Sequence, residues 1–178
     1  LLIRRLRDAL SISVPDWALA LQHAQQILQK PNTHRSVTWL RTALNGWSTS
    51  YRYAENPRRR CFFGCLAHDK LKHYIQCPRL WLCVGMSCTA VSRRAIDSPA
   101  RRMGLDVHMP IRQTRHAIET ICVASSVYHT FKHSAELGQL ADEARATRNF
   151  ARLGDAILAT CKTAAHAHKL VFIRRAPT

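Results

Sequence analysis

Four side chains able to bind a borderline-soft metal ion crowd into residues 58–81, RRRCFFGCLAHDKLKHYIQCPRLW. Cys61, Cys65, His73 and Cys77 follow the pattern C-x3-C-x7-H-x3-C. Thiolate and imidazole are ligands that zinc prefers, and two thiolates on one short turn can grip one side of a tetrahedral ion at about 2.3 Å each. A helix must then close the other side. His73 and Cys77 stand four apart, so on a helix both leave the same face. Asp69 is expected to cap that helix and Gly64 to let the loop fold back. Phe62, Phe63, Leu71, Tyr74 and Ile75 are expected to form the apolar shell. The spacing predicts Zn2+ at Cys61, Cys65, His73 and Cys77. His68 is a rival fourth ligand, but it follows Cys65 closely and leaves a long final span to Cys77. The alternative is three buried thiols beside a surface histidine, or a site that has decayed.

Residues 44–81, LNGWSTSYRYAENPRRRCFFGCLAHDKLKHYIQCPRLW, resemble the zinc knuckle found after the thumb region in reverse transcriptases of non-LTR retrotransposons. The matching features are the WSTS approach at 47–50, the Cys61/Cys65 pair with Gly64, Asp69, and His73-Tyr74 before Cys77. The match covers about a fifth of the chain, and the flanks are compatible with helices on either side. The resemblance implies a nucleic-acid-handling module beside a polymerase, with zinc held by those four residues. The departures matter equally. No YxDD-like pair of aspartates marks a polymerase palm, and 178 residues leave no room for fingers, palm and thumb. The downstream endonuclease of some such elements needs a Pro-Asp after the knuckle, whereas the only one here, Pro15-Asp16, precedes it. Enzyme activity is therefore not expected to be inherited.

Lysine plus arginine number 27 against 11 for aspartate plus glutamate, a formal net charge of +16. Such an excess calls for a polyanion, which points to nucleic acid or, less often, an anionic membrane. Lysine is confined to Lys30, Lys70, Lys72, Lys132, Lys162 and Lys169, so arginine dominates. Guanidinium forks bind phosphate bidentately and stack on bases. A GC-rich genome also enriches arginine but does not by itself explain the net charge. The expected contacts are Arg52, Arg58, Arg59, Arg60, Lys70, Lys72, Arg79, Arg93, Arg94, Arg101, Arg102, Arg174 and Arg175. Tyr51, Tyr53, Phe62 and Phe63 would offer stacking surfaces. The competing reading is a solvated charge run beside core aromatics.

Seven cysteines lack the regular spacing of a disulfide scaffold, which fits a reducing compartment. Cys83, Cys88, Cys122 and Cys161 read as small buried apolar residues. His116, His129, His133, His166 and His168 invite a second metal site, and His129 and His133 form a ligand pair at helical spacing. No acid completes it locally, so these imidazoles are expected at the surface or facing RNA. No Gly-rich phosphate loop, Gly-x-Ser-x-Gly elbow or acid pair is present, and Asp142-Glu143 reads as helix surface. No apolar run of about 18 residues indicates a transmembrane helix. The chain opens at Leu1 without an initiator methionine, as expected of a processed product or a piece of a longer protein.

The elements that must position these residues are helical. The fold class expected is mainly α, a small helical domain with a CCHC zinc knuckle between two groups of helices. With 47% hydrophobic residues a core is within reach. Residues 1–56 should be N-terminal helices, 57–84 the knuckle, 85–110 a basic irregular linker, and 111–178 a C-terminal helical hairpin. Residues 1–10 read as a packing helix. The next helix starts near Pro15-Asp16, with Trp17, Leu19, Leu21, Ala24, Ile27 and Leu28 as its core face. A third, over 33–45, should turn Val37, Leu40 and Leu44 inward and Arg35 and Arg41 outward. Residues 85–110, rich in breakers, should stay mobile until they meet phosphates. Thr114 should cap a long helix running to Leu137 and stopped by Gly138. Segments 140–153 and 155–168 should form an antiparallel pair hinged at Gly154, followed by an extended arm at 171–175.

The function expected is a non-enzymatic RNA-binding structural subunit of a large ribonucleoprotein. By elimination this is a mitochondrial ribosomal protein derived from a reverse-transcriptase-like segment. Its partners would be rRNA and neighbouring proteins, with no small-molecule substrate and no membrane span, in the mitochondrial matrix or alternatively the nucleus. The alternatives are the C-terminal nucleic-acid-binding module of a retrotransposon reverse transcriptase, and a basic scaffold subunit of an organelle complex.

Overall fold

A computed structural model describes residues 1–29 and 33–170, and every regular element among them is helical. Helix α1 (Leu2–Arg4) runs into a wider turn, Arg5–Ala9, that buries Leu6. Helix α2 (Trp17–Leu28) begins where the Asp16 carboxylate accepts from Leu19 N at 3.0 Å, and it buries Ala20, Ala24 and Ile27. This cap satisfies one of the orphan donors of the first turn. Helix α3 is Thr33–Ala43.

The facing of α3 leaves Arg41 outside as expected but otherwise reverses the sequence expectation. Val37, Leu40 and Leu44 are 47%, 46% and 49% exposed, while Arg35, Thr38, Trp39, Thr42 and Ala43 are buried. Polar partners waiting inside explain the reversal. Glu119 lies 3.5 Å from Arg35, Trp39 Nε1 donates to Met103 O at 2.9 Å, and Trp47 Nε1 donates to Thr42 Oγ1 at 2.9 Å. For Trp39 and Thr42 a buried polar group with its partner in place costs little, whereas burial lowers the pKa of Arg35 and Glu119 opposes that shift.

Helix α4 (Leu71–Gln76) closes the knuckle and α5 (Pro78–Ser87) follows it, with Pro78 at the first position of α5, where its missing N–H does no harm. The stretch expected to be a mobile linker is instead folded. It holds a tight turn at Arg93–Ile96 and the short helix α6 (Pro99–Arg102), and it buries Val91, Ala95, Ile96, Met103, Leu105 and Met109. Its basic residues concealed an apolar half.

Helix α7 (Ile111–His133) is the spine, against which α2, α3, α5, α6, α8 and α9 pack. It starts after Pro110, upstream of the expected cap; Thr114 lies within it and donates to Met109 O at 3.2 Å. Helices α8 (Ala135–Thr147) and α9 (Ala151–Ala167) follow. The breaks fall at Ser134, whose hydroxyl accepts from Leu137 N, and at Arg148, held left-handed at φ 56°. Gly138 and Gly154 lie inside helices instead, where a single glycine costs only about 1 kcal/mol. Buried apolar residues from Leu6 to Leu170 form one continuous cluster. Among the described residues no helix is long and apolar enough to cross a membrane.

Candidate metal centre and basic face

The knuckle is a miniature hairpin closed by a helix. Arg60 and His68 make an isolated antiparallel bridge, Cys61 N donates to Ala67 O at 2.9 Å, and Asp69 N donates to Arg59 O at 3.0 Å. Gly64 turns the tip at φ +80°, a region that side-chain-bearing residues avoid. A Cβ there would also stand 2.8 Å from Leu153 Cδ2 and from Phe150 Cε1, so α9 presses directly on this backbone.

The ligand atoms of Cys61, Cys65, His73 and Cys77 all lie within 4.8 Å of one another. Cys65 Sγ and Cys77 Sγ are 3.7 Å apart. Two thiolates at about 2.3 Å from a tetrahedral ion would be separated by about 3.8 Å. His73 Nε2 is buried without a hydrogen-bond partner, as a ring nitrogen aimed at an ion would be. Phe63 N lies 3.4 Å from Cys61 Sγ and supports it from the second ring of contacts. His68, the rival, is exposed and outside the cluster. The donor set therefore fits a metal ion, and thiolate with imidazole suits zinc.

Electrostatics favour the same conclusion. Burial, then the Cys65 thiol, pushes Cys61 up to about 12. Hydrogen bonding with the Cys61 and Cys65 sulfurs, then burial, raises Cys77. Hydrogen bonds from Cys61 and Cys77 hold Cys65 well below the ordinary thiol range. Sulfurs this close can ionise together only around a cation.

The shell is as expected in composition, since Phe62, Phe63, Leu71, Tyr74 and Ile75 are all buried. Phe62 and Phe63 are thereby removed from any stacking role: Phe63 meets Phe131 at 5.2 Å and Phe62 meets Tyr128 at 6.0 Å. Asp69 does not cap α4. Lys70 occupies that position, and Asp69 is fully buried, its carboxylate accepting from Ser50 N at 2.6 Å. A buried amide donor in the WSTS approach takes the charge that the helix end would otherwise have used. Arg145 of α8 donates to Cys61 O at 2.8 Å, a tie that no local pattern announces.

Beside the knuckle lies a basic, aromatic surface. Tyr51 and Tyr53 are 44% and 58% exposed. Arg58 and Lys70 stand 4.6 Å and 3.8 Å from the Tyr51 ring. Arg52 and Lys132 stand 5.3 Å and 5.8 Å from the Tyr53 ring. Lys132 joins from α7, too far along the chain for sequence spacing to reveal it. Arg59 pairs with Glu55 at 3.8 Å, and Arg60 donates to Leu66 O at 2.5 Å. Lys72 is exposed.

The remaining predicted contacts divide. Arg93 and Arg94 are exposed. Arg101 is tied to Asp106 at 2.7 Å and Asp97 at 2.9 Å. Arg79 lies 3.6 Å over the Phe150 ring. Arg102 is corrected outright: it is buried, donates to Ile96 O at 2.7 Å and Ile75 O at 2.5 Å, and covers the Trp81 ring at 4.4 Å. Burial lowers its pKa to about 10, still far above neutrality, so an internal cation holds these carbonyls. Arg174 and Arg175, with the predicted arm, lie outside the described residues.

Cys83, Cys88, Cys122 and Cys161 are buried and free, as expected. His129 and His133 stack at 6.1 Å, but no third ligand joins them among the described residues. No family model, curated protein or solved structure matches the chain.

Proposed function

We infer that the chain is a nucleic-acid-binding module without chemistry of its own, pinned by zinc at Cys61, Cys65, His73 and Cys77. The observation that carries this reading is the Tyr51 ring, exposed beside the knuckle and flanked by Arg58 and Lys70. The Arg58 guanidinium lying over this ring offers a plane on which an unpaired base can stack, while its phosphates meet the neighbouring charges. Arg52 widens the same face, Arg59 and Lys132 meet at Glu55 beside it, and the net charge of +16 supplies long-range attraction. The setting that agrees with this is a ribonucleoprotein, with the chain as a structural subunit on rRNA in a mitochondrial ribosome.

A second reading, the C-terminal module of a retrotransposon reverse transcriptase, is favoured by the bare α3 stripe of Val37, Leu40 and Leu44. Apolar residues at this spacing suit burial under another protein body.

Fluorescence anisotropy with single-stranded and structured RNA across a salt series tests the common core. Affinity should fall steeply with salt, and Arg58→Ala with Lys70→Ala should each reduce the log–log slope by about one contact. Binding indifferent to salt would end the reading. Sedimentation of the native assembly separates the two settings, since a ribosomal subunit migrates with rRNA and a retroelement module with a polymerase.

A further inference from the structure

Away from the knuckle, a second group of ligating side chains converges where α3, α7 and α9 meet. His34 in the first turn of α3, Cys122 midway along α7 and His168 at the end of α9 bring their ligand atoms within 4.8 Å of one another. The two imidazoles stack with centroids 5.3 Å apart and planes at 12°, so one ring must turn about its Cβ–Cγ bond before both lone pairs can meet a common ion. Cys122 is buried, His168 half-buried and His34 exposed, so the group opens outward on one side. Ser126 Oγ lies 3.3 Å from His168 Nε2. A partner on one imidazole nitrogen orients the ring and leaves the other nitrogen's lone pair for an ion, as in the outer contacts of known metal centres.

We propose that His34, Cys122 and His168 form a second metal site, a His2Cys centre for zinc or a similar borderline-soft divalent ion. It is distinct from the knuckle in kind: four protein ligands make a closed structural centre, whereas three leave a coordination position open. Glu119, one turn before Cys122, does not fill that position, because its carboxylate is held 3.5 Å from both Arg35 and Arg115. The open position lies toward the exposed His34 and accepts water or a small anionic or thiol ligand. On binding, the Cys122 S–H bond breaks heterolytically, its proton leaves to solvent, and the sulfur and two imidazole lone pairs form bonds to the ion. The ion would then clip three helices whose ligands are far apart in sequence, and because these converge only in the fold, its binding would add to folding stability.

The test is cobalt(II) titration of the full chain, followed by thiolate-to-cobalt charge-transfer absorption and native mass spectrometry. The full chain should take two equivalents. His34→Ala, a change at an exposed position that leaves the helices intact by circular dichroism, should take one, as should Cys122→Ala. Cys65→Ser should lose the other equivalent and keep the one that His34→Ala removes. A full chain that takes a single ion, lost in Cys65→Ser and kept in His34→Ala, overturns the second site while leaving the knuckle standing. The converse pattern supports the second site and removes the knuckle.

Discussion

The ring of Tyr74, next in sequence to the candidate ligand His73, lies 4.8 Å from the ring of Tyr128 at 56°. Tyr128 sits on the spine helix α7 and donates its hydroxyl to Ser48 O at 2.9 Å. The knuckle is thus built into the hydrophobic core and is not a tethered finger. Tyr128→Ala should destabilise the fold by about 3–5 kcal/mol through the lost ring, and Tyr128→Phe by only about 1 kcal/mol through the lost hydrogen bond. Thermal unfolding of both variants checks this; equal effects would show that ring packing is not what holds the knuckle.

Cys65→Ser should release the knuckle's metal and loosen the hairpin around it, because a structural zinc contributes folding energy directly. His68→Ala should keep as much metal as the unaltered chain, since His68 is exposed and outside the cluster. Metal content of the two purified proteins decides the ligand set. Metal content in Cys65→Ser equal to that of the unaltered chain, or one equivalent lower in His68→Ala, would show that the wrong residues are named.

Gly64→Ala should cost about 1–3 kcal/mol from backbone strain alone at φ +80°. The added methyl must also displace Phe150 and Leu153. Chemical denaturation should therefore show a loss that Gly154→Ala, with open space around it, does not share. An unchanged midpoint for Gly64→Ala would contradict the close contact with α9.

Arg102→Ala should destabilise the chain by roughly 3 kcal/mol, because Ile75 O and Ile96 O lose their donor. The salt dependence of RNA binding should stay as it was. Arg58→Ala should do the reverse, weakening binding with little change in stability, as expected of an exposed side chain. A drop in the salt slope of the Arg102 variant, with its stability intact, would put Arg102 back at the surface.

The cluster that could hold an ion was legible because its spacing is local: a turn and a helix are enough to bring Cys61, Cys65, His73 and Cys77 near one another. The helical class followed for the same reason. What escaped were facts decided by distant partners. Arg35 turned inward because Glu119 meets it from α7, which pushed Val37, Leu40 and Leu44 out against their own hydropathy. Asp69 was drawn from the helix end by Ser50 N. Arg102 looked like a phosphate contact until Trp81 and the buried carbonyls claimed it. Phe62 and Phe63 were read as a possible platform, and only the course of α7 shows them roofed. The grouping of His34, Cys122 and His168 has no sequence signature, since each comes from a different helix.

The pressure of Phe150 and Leu153 on Gly64 has a temporal meaning. As the chain emerges from the ribosome, the turn bearing the first two cysteines is made long before the helix that lies over it. A nascent chain can therefore offer its thiols to an ion while the outer side of the turn is still bare, and the arrival of α9 seals the turn afterwards. What α9 covers is the Gly64 backbone, while Cys65 and His73 keep part of their surface open to solvent, so the same four residues stay reachable by an ion after synthesis as well as during it.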